Sequence, residues 1–369
     1  MLKHLLIATT LVFGSSAYAD ETISFAALKS QLDETVPGIL EAHNAPGIAL
    51  AFVQGNEVIG FLSYGFANVD TREPIAEETM FNVGSISKVV TAWGALQLVE
   101  RGEVELDTPI NQYLKRWKIP DSEFNSEKVT LRNLLSHTSG LSLGPYLGWG
   151  PSDHLPSIVD SLNGDNNGAG PVELVQEPDT EWLYSGGGYS VVQLLIEDVS
   201  GMSFEAYMQQ NVLAKLGMHG STFEVTTAEI EKSATPYDED GEETTMVYFA
   251  EQAAAGLQTT AMDLARFNLA ILKNEDNQYN GIELLSEELI EQMIAPVSNT
   301  DGRWSMSYVV DSENDSLGFA GFNRGWVSLT RSMTEQNFGY VILMNSSAGS
   351  VSFELDELIV SIVHKQPED

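Results

Sequence analysis

The sequence predicts an α+β protein: an antiparallel sheet flanked by helices and built from both chain ends, with a mostly helical region inserted between them. Two observations carry this. β-rich runs occur early, in GIALAFVQGNEVIGFLSYGFAN (residues 47–68), and late, in WSMSYVV, NRGWVSLTRS and FGYVILMNS. Between them, residues 103–251 show helical spacings separated by loops.

Taken in order, residues 47–68 form a hairpin about Gln54-Gly55-Asn56. From Ser87 to Glu100 the pattern turns helical and ends at Arg101-Gly102. Val89, Val90, Ala92, Trp93, Ala95, Leu96, Leu98 and Val99 surround this helix, so it should be buried on every side. Thr130 caps a short helix over 131–135, which ends at Ser136-His137-Thr138-Ser139-Gly140. Residues 142–171, rich in Gly, Pro and Asn, form long loops around one short helix. Tyr189 to Val199 is helical with Gly201 as its stop, and Ser203 caps the next helix. Thr260 caps a helix through Leu272, Ser286 one through Ile294, and a closing helix covers 353–363. The organisation expected is an α/β part from residues 20–102 and 252–369, with residues 103–251 as the mostly helical part of the same unit.

Composition narrows the partners. With 53 acidic and 18 basic residues the formal net charge is −35, which repels nucleic acid and anionic membranes. The acids are scattered among apolar positions, as on a folded, solvated surface. At the N-terminus, Lys3 and His4 precede an apolar run from Leu5 to Phe13, followed by Ala17-Tyr18-Ala19. This is the pattern of a signal peptide cleaved after Ala19, too short to span a bilayer, and it predicts a periplasmic or secreted protein without a membrane anchor. The absence of cysteine excludes disulfides, thiol catalysis and cysteine-bound metals.

The chemistry centres on Ser85-Ile86-Ser87-Lys88. A serine that attacks a carbonyl needs a proton acceptor, and a lysine serves when burial and positive potential lower its pKa. At i and i+3 the two side chains share one helix face. Ser85 at the helix N-terminus also feels the positive end of the dipole, and its N–H can face an oxyanion. The tetrapeptide alone is a weak signal, since about one such pairing arises by chance in a chain with this many serines and lysines. A partner strengthens it: in EWLYSGGGY (181–189), Tyr184 precedes a glycine-rich turn into a helix and can relay the proton to the leaving group.

With these residues in place, the chain resembles the serine β-lactamase and penicillin-binding-protein-like family, in particular its class C-like and esterase branch. FNVGSISKVVTAWGALQLVERG, TLRNLLSHTSGL, YSGGGY, AAAGLQTTAMDLARF and GFAGFNRGW carry the resemblance, which extends from about residue 30 to 360. It implies a cleft between the α/β and helical parts, with Ser85 as acyl-accepting nucleophile, Lys88 as its activating partner and Tyr184 as the catalytic tyrosine. The oxyanion hole would use the N–H groups of Ser85 and Phe322, and Gly186, Phe319 and Gly321 would line the substrate site.

Two departures bear on substrate. The family's second motif usually ends in Asn, where this chain has Gly186. Its third usually begins with Lys or His, where this chain has Phe319-Ala320-Gly321. A phenyl ring neither donates a hydrogen bond nor carries charge, so carboxylated substrates are poorly served. His137 in SHTSG is read as structure near the cleft rather than as a base. The near match of DNQYNGIELLSE (276–287) to a calcium loop is broken by Gln278 and is better read as a turn before the Ser286-capped helix. Trp149 and Tyr146 either line the cleft or pack. The sequence thus points to a metal- and cofactor-independent serine hydrolase acting on a small ester, amide or peptide. Two rival readings remain. One is a peptidase, amidase or β-lactamase acting on D-amino-acid or cell-wall substrates. The other is a catalytically silent relative that binds a partner through the same cleft.

Overall fold

The Gln54-Gly55-Asn56 stretch turns the chain as its residue types require, with Gly55 at φ +60 between β1 (Gly47–Gln54) and β2 (Glu57–Asn68). This hairpin belongs to a computed structural model that describes residues 23–142, 146–150, 154–165, 168–224 and 231–365. The leader pattern of residues 1–19 and parts of the 142–171 loops lie outside the described residues.

Three further strands come from the C-terminal end: β7 (Ser316–Asn323), β8 (Trp326–Met333) and β9 (Phe338–Met344), with the short β3 (Glu73–Pro74) and β6 (Val309–Asp311) at the two edges. The sheet order is β3-β2-β1-β9-β8-β7-β6, every neighbour antiparallel. The N- and C-terminal contributions meet at its centre, where β1 pairs with β9 from Ile48↔Met344 to Gln54↔Phe338. Strand alternation divides the apolar residues between two cores. Ile48, Leu50, Phe52, Tyr340 and Ile342 pack under α1 (Phe25–Ala42) and α10 (Gly349–His364). Ala49, Ala51, Val53, Val341 and Leu343 face the larger core, which includes α8 (Ala261–Leu269).

A small two-stranded clasp, β4 (Phe81–Asn82) paired with β5 (Gln258–Thr259), draws two distant points of the chain together. Between them in sequence lie α2 (Ile86–Glu100), α3 (Leu131–Leu135), α4 (Ile158–Leu162), α5 (Gly186–Ser200), α6 (Phe204–Met208) and α7 (Gln252–Ala255). Every residue of α2 from Ile86 to Leu98 is buried, as its all-round apolar pattern predicts. A further helix, α9 (Glu287–Ile294), follows Ser286.

Several boundaries differ from the sequence expectation. α5 begins at Gly186 rather than Tyr189, because the Ser185 hydroxyl accepts from Gly188 N–H at 2.8 Å and draws the glycines into the first helical turn. α8 ends at Leu269, three residues short of Leu272. WSMSYVV supplies only the three-residue β6, because Ser305 and Ser307 bond within a local turn. Residues 276–287 form a turn in which Asn274 Oδ1 accepts from the N–H groups of Asp276 and Gln278. Among the described residues, no group of three acidic or histidine side chains is arranged to hold a metal, and no helix is long and apolar enough to cross a membrane.

Candidate active site

The clasp positions the start of α2. Asn82 Oδ1 accepts from Gly84 N–H at 2.9 Å, and Gly84 adopts φ +50 to turn the chain from β4 into the helix. A Cβ at Gly84 would lie 2.8 Å from Phe322 N, so only glycine lets β7 approach this closely. Ser85 is then the N-cap of α2, and its side chain makes no capping bond. The hydroxyl is turned into the interior instead. It accepts from Lys88 Nζ at 3.1 Å and from the Tyr184 hydroxyl at 2.7 Å.

Lys88 is 3% exposed, and no carboxylate pairs with it among the described residues. Its Nζ is surrounded by a backbone carbonyl and two π faces. Nζ donates to the carbonyl of Ala254, in α7, at 2.7 Å and lies 5.1 Å from the Tyr184 ring centroid and 5.8 Å from that of Tyr189. Tyr184 sits one residue before the N-cap of α5, whose Ser185 hydroxyl also donates to Ser142 O at 3.0 Å. Gly186 is the buried first residue of α5 and offers no side chain, while a Cβ on Gly187 would meet Ser142 O at 2.7 Å.

β7 forms the other wall. A Cβ on Gly321 would fall 2.0 Å from Val83 O, 2.6 Å from Ser328 Oγ and 3.0 Å from Ser85 N. β6 pairs with β7 only through residues 316–318, so the strand's outer edge beyond Gly318 has no strand partner. The antiparallel alternation set by the Asn323↔Trp326 pair turns the Phe322 N–H away from β8, toward Gly84 and Ser85. Phe322 N thus lies close against Gly84, and Ser85 N close against Gly321. Phe319 is largely covered: it is 5% exposed, with Trp304 packed edge-on at 5.6 Å. Arg324 is exposed on the β7–β8 turn, on a separate cavity of about 550 Å³ that Thr235, Thr244 and Tyr248 also line.

Around Tyr184 the structure gathers Trp182 and Trp304, which the sequence does not single out, together with His137, read from the sequence as structure near the cleft. Trp182 and Trp304 lie 5.0 Å apart and each 6.2 Å from the Tyr184 ring. His137 lies fully buried, its ring 4.4 Å from that of Tyr184. Burial, reinforced by the charge of Lys88, holds its pKa well below the usual imidazole value. Tyr146 is a packing residue whose hydroxyl meets Ser190 Oγ at 2.7 Å, and Trp149 bridges to Tyr248. The only available signals were a tryptophan two residues before Tyr184 and the position of His137 in SHTSG. The Ala254 carbonyl has no residue-type signature at all.

A seven-stranded antiparallel sheet with helices on both faces, a helical region joined through a clasp, and a Ser-x-x-Lys helix start between them define the β-lactamase and penicillin-binding-protein-like fold. The chain belongs to the beta-lactamase family, whose model matches residues 32–364. A beta-lactamase of Pseudomonas fluorescens is 28% identical over 241 residues, which are 65% of this chain and 63% of that protein. The chain thus spans less than two thirds of that relative's length. Among solved structures, the octameric penicillin-binding protein homologue from Pyrococcus abyssi superposes with a TM-score of 0.74 at 25% identity, over 92% of this chain and 78% of that one. A class C beta-lactamase superposes at 0.73 with 19% identity, over 96% and 99%. That likeness concerns the fold.

Proposed function

We propose that the protein is an exported serine hydrolase that forms an acyl-enzyme on Ser85 and hydrolyses small neutral esters or amides. Export is inferred from the leader pattern of residues 1–19. One observation carries the chemistry: the Ser85 hydroxyl makes no capping bond and instead meets both Lys88 Nζ and the Tyr184 hydroxyl, at 3.1 and 2.7 Å. In acylation Ser85 Oγ bonds to the substrate carbonyl carbon while its proton passes to the Lys88 amine, unprotonated at that step. The carbonyl electron pair moves onto oxygen, between the N–H groups of Ser85 and Phe322. Collapse breaks the bond to the leaving group, which takes the proton through Tyr184. Water then attacks the acyl-enzyme by the same route and restores Ser85.

The neutral class is supported by what surrounds the serine. Trp182 and Trp304 present aromatic surface beside Tyr184, and Phe319, covered by Trp304, puts neither a cation nor a donor where a carboxylate would need one. Burial of an apolar acyl or alcohol group against them is favourable at about 25 cal/mol per Å².

A fluorophosphonate probe tests this reading. It should add to one serine, and Ser85→Ala should abolish both labelling and ester hydrolysis. Lys88→Ala should lower kcat by about a thousandfold or more, since the nucleophile loses its proton acceptor. Short-chain neutral esters should turn over, with negligible hydrolysis of penicillins and cephalosporins. Undiminished hydrolysis by purified Ser85→Ala would sink the mechanism, and efficient penicillin hydrolysis would overturn the substrate class. A protein inert to both probe and esters would be the silent, partner-binding relative.

A further inference from the structure

Tyr184 must hold its hydroxyl on Ser85 although it lies on a loop, one residue before the N-cap of α5. The backbone N–H groups of both its neighbours are tied to a single residue. His137 O accepts from Leu183 N–H at 2.8 Å, and His137 Nδ1 accepts from Ser185 N–H at 3.1 Å. The imidazole ring lies against the Tyr184 ring at 4.4 Å, tilted by 38°. His137 adopts φ +59, a conformation that an L residue rarely takes and that aims its carbonyl and ring at the same strand of chain. We propose that His137 is a positioning residue: through its carbonyl and Nδ1 it clamps the backbone of Leu183 and Ser185, on either side of Tyr184, and thereby sets where the tyrosine hydroxyl meets Ser85. This rests on the reading of Ser85 as nucleophile and Tyr184 as its proton relay.

The clamp needs a neutral ring. An Nδ1 that accepts from a peptide N–H carries no proton, so the proton sits on Nε2. Nε2 is buried and has no hydrogen-bond partner among the described residues, inside a cage of Tyr184, Tyr189, Trp182 and Trp304. The titratable groups facing the ring are Tyr184, Tyr189 and Lys88, none of them a carboxylate that would stabilise an imidazolium. Both burial and Lys88 favour the neutral form.

Substitutions separate clamping from packing. Asparagine carries Oδ1 where histidine carries Nδ1 and tolerates positive φ, whereas glutamine sets its acceptor one methylene further out and leucine has none. The measurement is the rate of fluorophosphonate labelling, with kcat and KM for a neutral ester, for His137→Asn, His137→Gln and His137→Leu. Each is made alone and with Tyr184→Phe. His137→Asn should stay within about tenfold of the parent. Gln and Leu should lower kcat and labelling by about a hundredfold with KM moved less than about threefold. In the Tyr184→Phe background their effect on labelling should shrink to less than about threefold, because no hydroxyl remains to misplace. A full loss persisting in that background, an Asn variant as impaired as Leu, or a loss carried by KM overturns the proposal.

A second measurement needs no variant. The ring ¹⁵N spectrum of the histidine-labelled protein should show the Nε2–H tautomer unchanged from about pH 8 to pH 5, and a His137 ring titrating near its ordinary midpoint of about 6.5 overturns the clamp. A parent protein that shows this tautomer yet does not label with the probe would count against the hydrolase reading and leave the clamp standing.

Discussion

At Gly321 the site has no room for a side chain. The three atoms nearest a Cβ there, Val83 O at 2.0 Å, Ser328 Oγ at 2.6 Å and Ser85 N at 3.0 Å, include two backbone atoms that belong to the start of α2. Gly321→Ala must therefore push β7 away from Ser85. An overpacked site of this kind costs about 1–3 kcal/mol of stability. The functional loss should be larger, because the Phe322 N–H moves with the strand: loss of one oxyanion donor lowers kcat by about 10²–10³-fold. Ester turnover falling that far, with unfolding by urea still cooperative, is the expected result. Activity within about threefold of the parent would show that the Phe322 N–H contributes little. The sequence brings Ser85, Lys88 and Tyr184 forward as candidates because the chemistry proposed for them lies in side chains at motif spacing. The contacts of His137, made by its carbonyl and ring from a rare φ, and that of the Ala254 carbonyl are not displayed by one-letter code.

The elements differ in how plainly they are written. α2 is legible because an apolar run of helical length, closed by Arg101-Gly102, has one reading. α1 repeats Leu28, Leu32, Val36, Ile39 and Leu40 along its buried face and is capped by Ser24, yet Pro37 and Gly38 in the same stretch mimic a loop. β7 reads SLGFAGFN, whose two glycines and alanine lower its β propensity, so it is visible only through the third-motif resemblance. Its glycines are there for close approach rather than for strand formation. The join between α10 and the sheet is also invisible in sequence: Arg331 of β8 makes a bidentate pair with Asp356 of α10 at 2.9 and 2.7 Å, and Tyr340 donates to the same carboxylate at 2.5 Å. Arg331 and Asp356 side chains are 17% and 10% exposed. Arg331→Leu removes the charge partner of Asp356 and of Asp311, whose carboxylate also accepts from Arg331 at 2.8 Å. It should cost about 3–5 kcal/mol, read as a fall in the urea midpoint, and adding Asp356→Leu should recover only the part due to the more deeply buried Asp356. Single-variant stability within about 1 kcal/mol of the parent would contradict the assignment.

At the scale of the whole molecule, the net charge of −35 sets a balance that no single contact relieves. The salt bridges of the described residues are mostly surface pairs, among them Lys29–Asp33, Lys128–Glu177 and Arg303–Asp301. Such exposed pairs stabilise little and weaken as salt is added. Repulsion among the excess carboxylates acts over the entire surface and weakens as well, since the Debye length falls from about 30 Å at 0.01 M salt to about 3 Å at 1 M. The sign of the net effect follows from the numbers: with 53 acids against 18 bases, each additional carboxylate meets more like than unlike charge. Screening should therefore remove more repulsion than attraction. The melting temperature is expected to rise steadily between about 20 mM and about 1 M sodium chloride, with most of the rise below about 0.3 M, where the screening length changes fastest. Sodium chloride suits the measurement because sulfate would add a surface-exclusion effect that stabilises proteins of any charge. A melting temperature that stays flat or falls over this range would mean that the acidic surface is already compensated in the folded state, and the argument from net repulsion would fail.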